Sequence, residues 1–326
     1  MEYRKWKSFF WDSIGNVLSR AGISPQEIDL LVVNVSMLAA VPSLTSRIIN
    51  HYKMRSDIKS FNLASMGCSA SLISLDIIRN VFKSYKNKFA LLLTSESLSL
   101  NWYAGSDRSM ILSNCLFRSG GCAILLTNNK SLKHKAMFKL KCLVRTNHGA
   151  IDESYDCCIQ KEDAKGRMGF HLGKTLPKAA THSLTDNLRT ITPKILPVRE
   201  LVWFMAVSLV KKWNLRHGST PKGAPQGPIK AGVNFKSGVD HFCIHTGGKA
   251  VIDGIAASLD FVEQGRLSHT TAASQLVSAR LVVVVVRRQA VNIRVDTQLS
   301  YLSSMWSNET MERLIVHIPI AYPYDE

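Results

Sequence analysis

Ser60-Phe61-Asn62-Leu63-Ala64-Ser65-Met66-Gly67-Cys68-Ser69-Ala70 carries a short strand through a glycine turn into a helix that opens just past a cysteine. A side chain at that point faces unpaired backbone N–H groups and the positive end of the helix dipole. Both favour thiolate over thiol, so Cys68 is a candidate nucleophile near neutral pH. The alternative is a buried structural thiol, the common fate of a cysteine. Small residues at Ser69 and Ala70 let the helix begin close to neighbouring backbone.

Outward from this turn, helix and strand signals alternate. Residues 13–21 read as a helix closed by Gly22, and Ser24-Pro25-Gln26-Glu27 reads as a second helix start with proline in its preferred first position. Residues 30–35, 60–63, 89–94 and 122–127 are apolar strand candidates, while 42–52 and 69–84 are helical. Leu72, Leu75, Ile78, Val81 and Phe82 form the apolar stripe of the second of these helices. Strands interleaved with helices predict a layered α/β fold with a substantially parallel sheet. Residues 128–141, with five lysines and His134, read as a polar crossing between two halves. A strand is expected over 139–145, a long helix over 175–191, and an exposed Gly/Pro-rich loop over 218–238.

Composition narrows the partners. The 326 residues are 46% hydrophobic and 20% charged, which excludes a disordered, collagen-like or multi-span membrane protein. Forty-one Lys+Arg against 24 Asp+Glu give a net charge of +17, which favours phosphate-bearing or otherwise acidic partners. The lysines are scattered and no module that stacks bases is visible, so nucleic acid is not the expected partner. Seven cysteines without a CxxC pair argue against a disulfide framework or zinc ribbon, and for a reducing, cytosol-facing setting. Cys115, Cys122, Cys142, Cys157 and Cys158 are expected to be structural thiols. The segment from Met1 to Gly22 lacks a signal-peptide core and reads as an amphipathic surface helix, with membrane contact as the alternative. Residues 201–210 and 281–286 are the most apolar runs, and both fall short of a bilayer span. For 201–210 a buried core helix is the favoured expectation over a membrane-interface segment.

A second candidate stretch is Asp240-His241-Phe242-Cys243-Ile244-His245-Thr246-Gly247-Gly248, a strand ending in a glycine turn. His245 at that tip suits a hydrogen-bond donor or base aimed at a substrate oxygen, against a plain structural histidine. His241, Cys243 and His245 share one strand face, but no second ligand pair accompanies them, so no metal is expected.

These stretches resemble a known family. Met66-Gly67-Cys68-Ser69-Ala70, Leu100-Asn101-Trp102-Tyr103, Asp107-Arg108-Ser109-Met110 and Asn114-Cys115-Leu116-Phe117-Arg118 look like motifs of the plant 3-ketoacyl-CoA synthases, as does His241 to Asp253. The likeness runs from about residue 9 to residue 259. It implies a thiolase-like fold, with two related halves in an αβαβα arrangement and the C-terminal half incomplete here. It divides the chain into residues 1–195 with the nucleophile, 196–259 with His245, and a divergent tail over 260–326. The implied activity is condensation of a long-chain acyl-CoA with malonyl-CoA in very-long-chain fatty acid elongation, through an acyl thioester on Cys68. His245 takes the place of the histidine that holds the enolate oxygen, with His241, His148 and Asn147 as possible supporting residues. No metal or other cofactor is implied. Expected partners are the two CoA thioesters, a second copy of the chain or other elongase subunits, and the endoplasmic reticulum membrane at its cytosolic face. Asp107 and Arg108 are expected in a polar network near the site, with direct substrate contact as the alternative. Type III polyketide synthases share the Cys and His positions, but the motifs at 100–103 and 114–118 look like the elongase branch.

Three departures accompany the likeness. The family's two membrane-spanning helices would precede this chain's start. Asn147 stands where the family has a histidine after Arg-Thr, with His148 one position along. The family's His-Arg-Phe-Gly-Asn-Thr motif, with its catalytic asparagine, is not found between Leu259 and Glu326. All 23 lysines lie at or before Lys249, and the 77 residues beyond it hold six arginines instead, so the same region also breaks in composition. The expectation there is a catalytically impaired or inactive member with unpaired apolar edges such as 281–286.

Overall fold

The structure is a computed structural model describing residues 2–96, 101–117, 121–136, 138–217, 234–239, 241–244, 249–258, 283–286 and 313–315. Helix α1 (Glu2–Ala21) leads through a 3-10 turn (Pro25–Glu27) to strand β1 (Leu30–Val35), helix α2 (Leu44–Tyr52) and strand β2 (Lys59–Leu63). Helix α3 (Ala70–Ser84), strand β3 (Phe89–Ser95), helix α4 (Arg108–Leu116) and strand β4 (Gly121–Thr127) follow. The proline start forms a one-turn 3-10 helix, held by a reciprocal capping box between Ser24 and Glu27. Ser43 caps α2 with its side chain.

Strands β2, β1 and β3 run parallel, as the alternation predicts. Strand β4 departs from the expectation, because it pairs antiparallel with β3 from Phe89↔Thr127 to Ser95↔Gly121. Every residue of β1 is buried, the mark of a strand covered on both faces. Leu31, Val33 and Val35 point with Leu91, Leu93 and Leu125 into a core closed by α1 and α2. Leu30 and Val32 join Leu92 and Leu126 in a second core, closed by Leu75, Ile78 and Phe82 of α3. The result is a helix–sheet–helix sandwich with the period-2 split expected of buried strands.

Beyond β4 a 3-10 segment (Lys130–Lys135) precedes strand β5, which covers Phe138–Lys139 alone and not 139–145. Past Lys139 the chain is irregular: Leu143 offers its carbonyl to Arg79 of α3, and Arg145 reaches Asp76, in place of a strand ladder. A short helix α5 (Asp152–Asp156) and an antiparallel hairpin, β6 (Cys158–Glu162) with β7 (Met168–Leu172), were not foreseen. Helix α6 runs Leu176–Ile195, one turn beyond its expected end, with Pro193 inside it. It packs with helix α8 (Lys249–Ser258) around Leu184, Leu188, Val251 and Ile255.

Helix α7 (Val198–His217) corrects the expectation of a buried core helix over 201–210. Val198, Val202, Met205, Leu209 and Trp213 form a stripe that is 55–74% exposed together with Trp203 and Val210. Leu201 packs on a small cluster of Ile195, Leu196 and Val239, but apolar residues on several sides of one helix cannot all turn inward together. Strand β8 (His241–Ile244) pairs antiparallel with strand β9 (Val283–Val286), and strand β10 (Arg313–Ile315) lies between β4 and β5. The valine run is thus paired with β8 along 283–286, on one side of a two-stranded sheet. The rest of the 260–326 segment lies outside the described residues.

Candidate active site

The turn after β2 is built from two residues in left-handed conformation, Ser65 at φ 57° and Gly67 at φ 61°. Glycine adopts that geometry without the penalty a Cβ brings, which explains its place one residue before Cys68. Cys68 lies in a single 3-10 turn (Gly67–Ser69) that runs directly into α3. Neither Met66 nor Ser69 caps the helix with its side chain, and the Ala70 N–H bonds the Gly67 carbonyl across the 3-10 turn.

The ends of three parallel strands converge on this turn. Ser65 donates its N–H to the Ser36 carbonyl at 2.8 Å, and Ser36 Oγ donates to the Gly67 carbonyl at 3.3 Å. Glu96, just past β3, accepts the N–H groups of Ser36 and Met37 at 2.9 and 3.1 Å. Asn101 Nδ2 donates to the Met37 carbonyl at 3.0 Å. Cys68 therefore lies outside the carboxyl ends of β1, β2 and β3, where open α/β sheets place their ligands.

Two of the sequence motifs meet in space. Asn114 of α4 accepts the Tyr103 N–H at 3.3 Å and donates to the Tyr103 carbonyl at 2.8 Å. Tyr103 is buried and donates its hydroxyl to Asp163 at 2.6 Å. Burial and then the Asp163 carboxylate hold the Tyr103 phenol above its ordinary pKa. Asp107 caps α4, accepting the Ser109 N–H at 2.8 Å and hydroxyl at 2.6 Å, and these bonds hold its carboxyl below the usual range. Asp107 is exposed and serves as a local helix cap, which differs from the internal network expected of Asp107 and Arg108. Gly169 of β7 is where the hairpin meets the Tyr103 network, since a Cβ there would run into Met110 and Tyr103. Glu96, Asp163 and His171, which sits 2.8 Å from Ser109 Oγ, were missed by sequence reasoning. Their only local signal was the Asp-x-Ser cap spacing at 107–109.

The other candidates are distributed as follows. His241 and Cys243 lie in β8, and His245 lies outside the described residues. Asn147 is exposed and accepts the Gly149 N–H at 3.0 Å. His148 turns to α6, with Nε2 at 3.3 Å from Asp186 Oδ2. Of the cysteines expected to be structural, Cys115 is exposed and the other four are buried or half-buried. Burial pushes the Cys122 and Cys157 thiols up to about 11 and raises Cys142 and Cys158 as well, which makes them poor nucleophiles.

Residues 3–213 match the family profile described as FAE1/Type III polyketide synthase-like protein. Over 261 residues the chain is 67% identical to 3-ketoacyl-CoA synthase 12 of Arabidopsis thaliana and 65% identical to 3-ketoacyl-CoA synthase 3 of that plant. Each match covers 79% of this chain and 55% of the relative, so the chain spans about half the length of these proteins. Among solved structures, the C-terminal type III polyketide synthase domain of Steely1 from Dictyostelium aligns with TM-score 0.51 at 20% identity, over 74% of this chain and 57% of that one. Germicidin synthase from Streptomyces coelicolor, a type III polyketide synthase, aligns with TM-score 0.50 at 17% identity, over 68% and 52%. The likeness to these structures is one of fold, and the sheet sandwich described above is the part of that fold on which Cys68 sits.

Proposed function

This chain belongs to the plant 3-ketoacyl-CoA synthases, and from that premise we propose that it carries the decarboxylative condensation of very-long-chain fatty acid elongation. The Cys68 thiolate attacks the thioester carbonyl of a long-chain acyl-CoA, and CoA leaves as its thiolate. Malonyl-CoA then loses CO2, and the enolate attacks the acyl-Cys68 thioester to give 3-ketoacyl-CoA and regenerate the thiolate. His245 donates a hydrogen bond to the enolate oxygen, where developing charge needs a preorganised donor. No metal or redox cofactor enters the scheme. The observation that carries the reading is Cys68 at an uncapped helix start, at the carboxyl ends of three parallel strands.

A second reading rests on the missing asparagine motif between Leu259 and Glu326. Loss of one oxyanion donor costs about 10²–10³ in rate. On that reading the chain is an inactive member that binds acyl-CoA or pairs with a second copy or another elongase subunit. We further propose that it works at the cytosolic face of the endoplasmic reticulum membrane, as the family resemblance implies. None of the described helices is long and apolar enough to cross a membrane, but the exposed stripe of α7 supports contact with the interface.

The chain, expressed in a host without elongase background, is given a long-chain acyl-CoA and labelled malonyl-CoA. Labelled 3-ketoacyl product that disappears in Cys68→Ala is the expected result. Acylation of Cys68 without product would favour the second reading. Folded protein with neither would overturn the first reading, and a monomer that also fails to bind acyl-CoA would overturn the second.

A further inference from the structure

We infer that His148, His182 and Asp186 form a binding site for a divalent transition-metal ion of the zinc class, independent of the condensing chemistry. His182 and Asp186 stand four residues apart on α6 and so share one face of the helix. His148 reaches them from the irregular segment that follows β5. Both imidazoles aim Nε2 at the same carboxylate oxygen, with His148 at 3.3 Å and His182 at 3.6 Å from Asp186 Oδ2. The three ligand atoms all lie within 4.8 Å of one another. A tetrahedral ion with bonds of about 2.0–2.1 Å sets neighbouring ligands about 3.3–3.4 Å apart. The His148–Asp186 separation already has this spacing, the His182–Asp186 separation exceeds it by about 0.2 Å, and all three atoms lie close enough for ring rotation to draw them onto one ion.

The surroundings hold these groups in place. Asp186 Oδ1 is engaged by Arg189 Nη1 at 3.2 Å, which turns Oδ2 toward the histidines. Asn187, the next residue, donates to Thr146 Oγ1 at 2.9 Å and so fastens the His148 segment to α6 beside the cluster. The His148 side chain is 10% exposed and its Nδ1 is buried without a partner, so Nε2 is the nitrogen it offers. His182 is 55% exposed and borders an open depression with Glu153, Thr181 and Gly254, which gives an ion a path from solvent and leaves a position for water. The donor set of two imidazoles and one carboxylate suits zinc over calcium or magnesium, which favour all-oxygen shells. A bound ion would clamp the segment carrying Arg145 and Asn147 to α6.

The test titrates the full chain with Zn2+ alone, and with Co2+ as a spectroscopic probe. One tightly bound equivalent is expected, with affinity falling at least about tenfold in His182→Ala and in Asp186→Asn. Both positions are solvent-accessible, and a far-UV spectrum and an unchanged Tm without metal show that the variants are folded. A Zn2+-induced rise in Tm should be present in the parent chain and lost in both variants. The Co2+ spectrum should lack thiolate charge-transfer bands. No binding, affinity unchanged in both variants, or a thiolate spectrum would overturn the inference.

Discussion

Helices α1 and α7 have the same length and opposite fates. Each spans 20 residues and carries aromatic and aliphatic side chains in helical register. In α1 the stripe Phe10, Ile14, Val17 and Leu18 is buried against the sheet. In α7 the stripe Val198, Val202, Met205, Leu209 and Trp213 faces solvent, and Trp203 and Val210 are exposed off it. Periodicity announces that a helix has an apolar face. It does not say whether this chain's own core is what covers that face. The sheet offers α1 a flat apolar floor of Leu31, Val33, Leu91 and Leu125, whereas α7 meets the described core through Leu201.

The largest effect should come from breaking the covered side of this comparison. Ile14→Ala removes a fully buried side chain beneath which the sheet cannot collapse. A loss of about 3 kcal/mol is expected in denaturant unfolding. The same truncation at Leu209 of α7 should stay within about 0.5 kcal/mol. Equal losses at both positions would mean that α7 is covered in solution.

An intermediate effect is expected at Asp29, which ties the start of β1 to β3 at the rim of the α1 core. Asp29 accepts the Phe89 N–H at 2.9 Å and pairs with Lys88 and Arg55, each at 2.9 Å. Burial by itself raises its pKa, but these three contacts outweigh it and hold the carboxyl below the usual aspartate range. A depressed folded-state pKa stabilises the protein above the unfolded value, and that share is lost as pH falls through the folded value. Asp29→Asn should therefore cost about 2 kcal/mol at neutral pH and flatten the acid limb of the stability–pH curve. A variant with the same acid limb as the parent would show that the contacts are screened.

The smallest effect on stability, and the sharpest on function, is expected on α7. The triple variant Val202→Ser, Met205→Ser, Leu209→Ser should leave unfolding within about 1 kcal/mol of the parent, summing small surface effects. Co-sedimentation with vesicles containing anionic lipid should be lost in the same variant. Retained sedimentation would assign lipid contact elsewhere, and marked destabilisation would return α7 to the core.

Much of the sandwich was legible because its signals are local. The apolar run that opens β1, the Ser24 start, and the stripe of α3 each report their element within a few residues. The glycine before Cys68 reports its turn in the same way, through a φ that only glycine adopts cheaply. The antiparallel hairpin of β6 and β7 was not legible, since its strands are short, β6 ends in Gln160-Lys161-Glu162, and its turn at Gly166 lies among charged residues. The expected strand over 139–145 failed for the converse reason. Its apolar residues are used by α3, through Leu140 and Leu143, without a neighbouring strand to complete a ladder.

The sequence by itself determined the alternation of elements through β4, the helix start at Cys68, and membership of the family, because capping, periodicity and motif spacing are written in contiguous residues. Only the tertiary structure decided three other things. It set β4 antiparallel to β3, left α7 uncovered by the described core, and brought His148 to His182 and Asp186 on α6. Each depends on a contact between segments far apart in the chain, and a local pattern specifies which face or atom is available without specifying what it will meet.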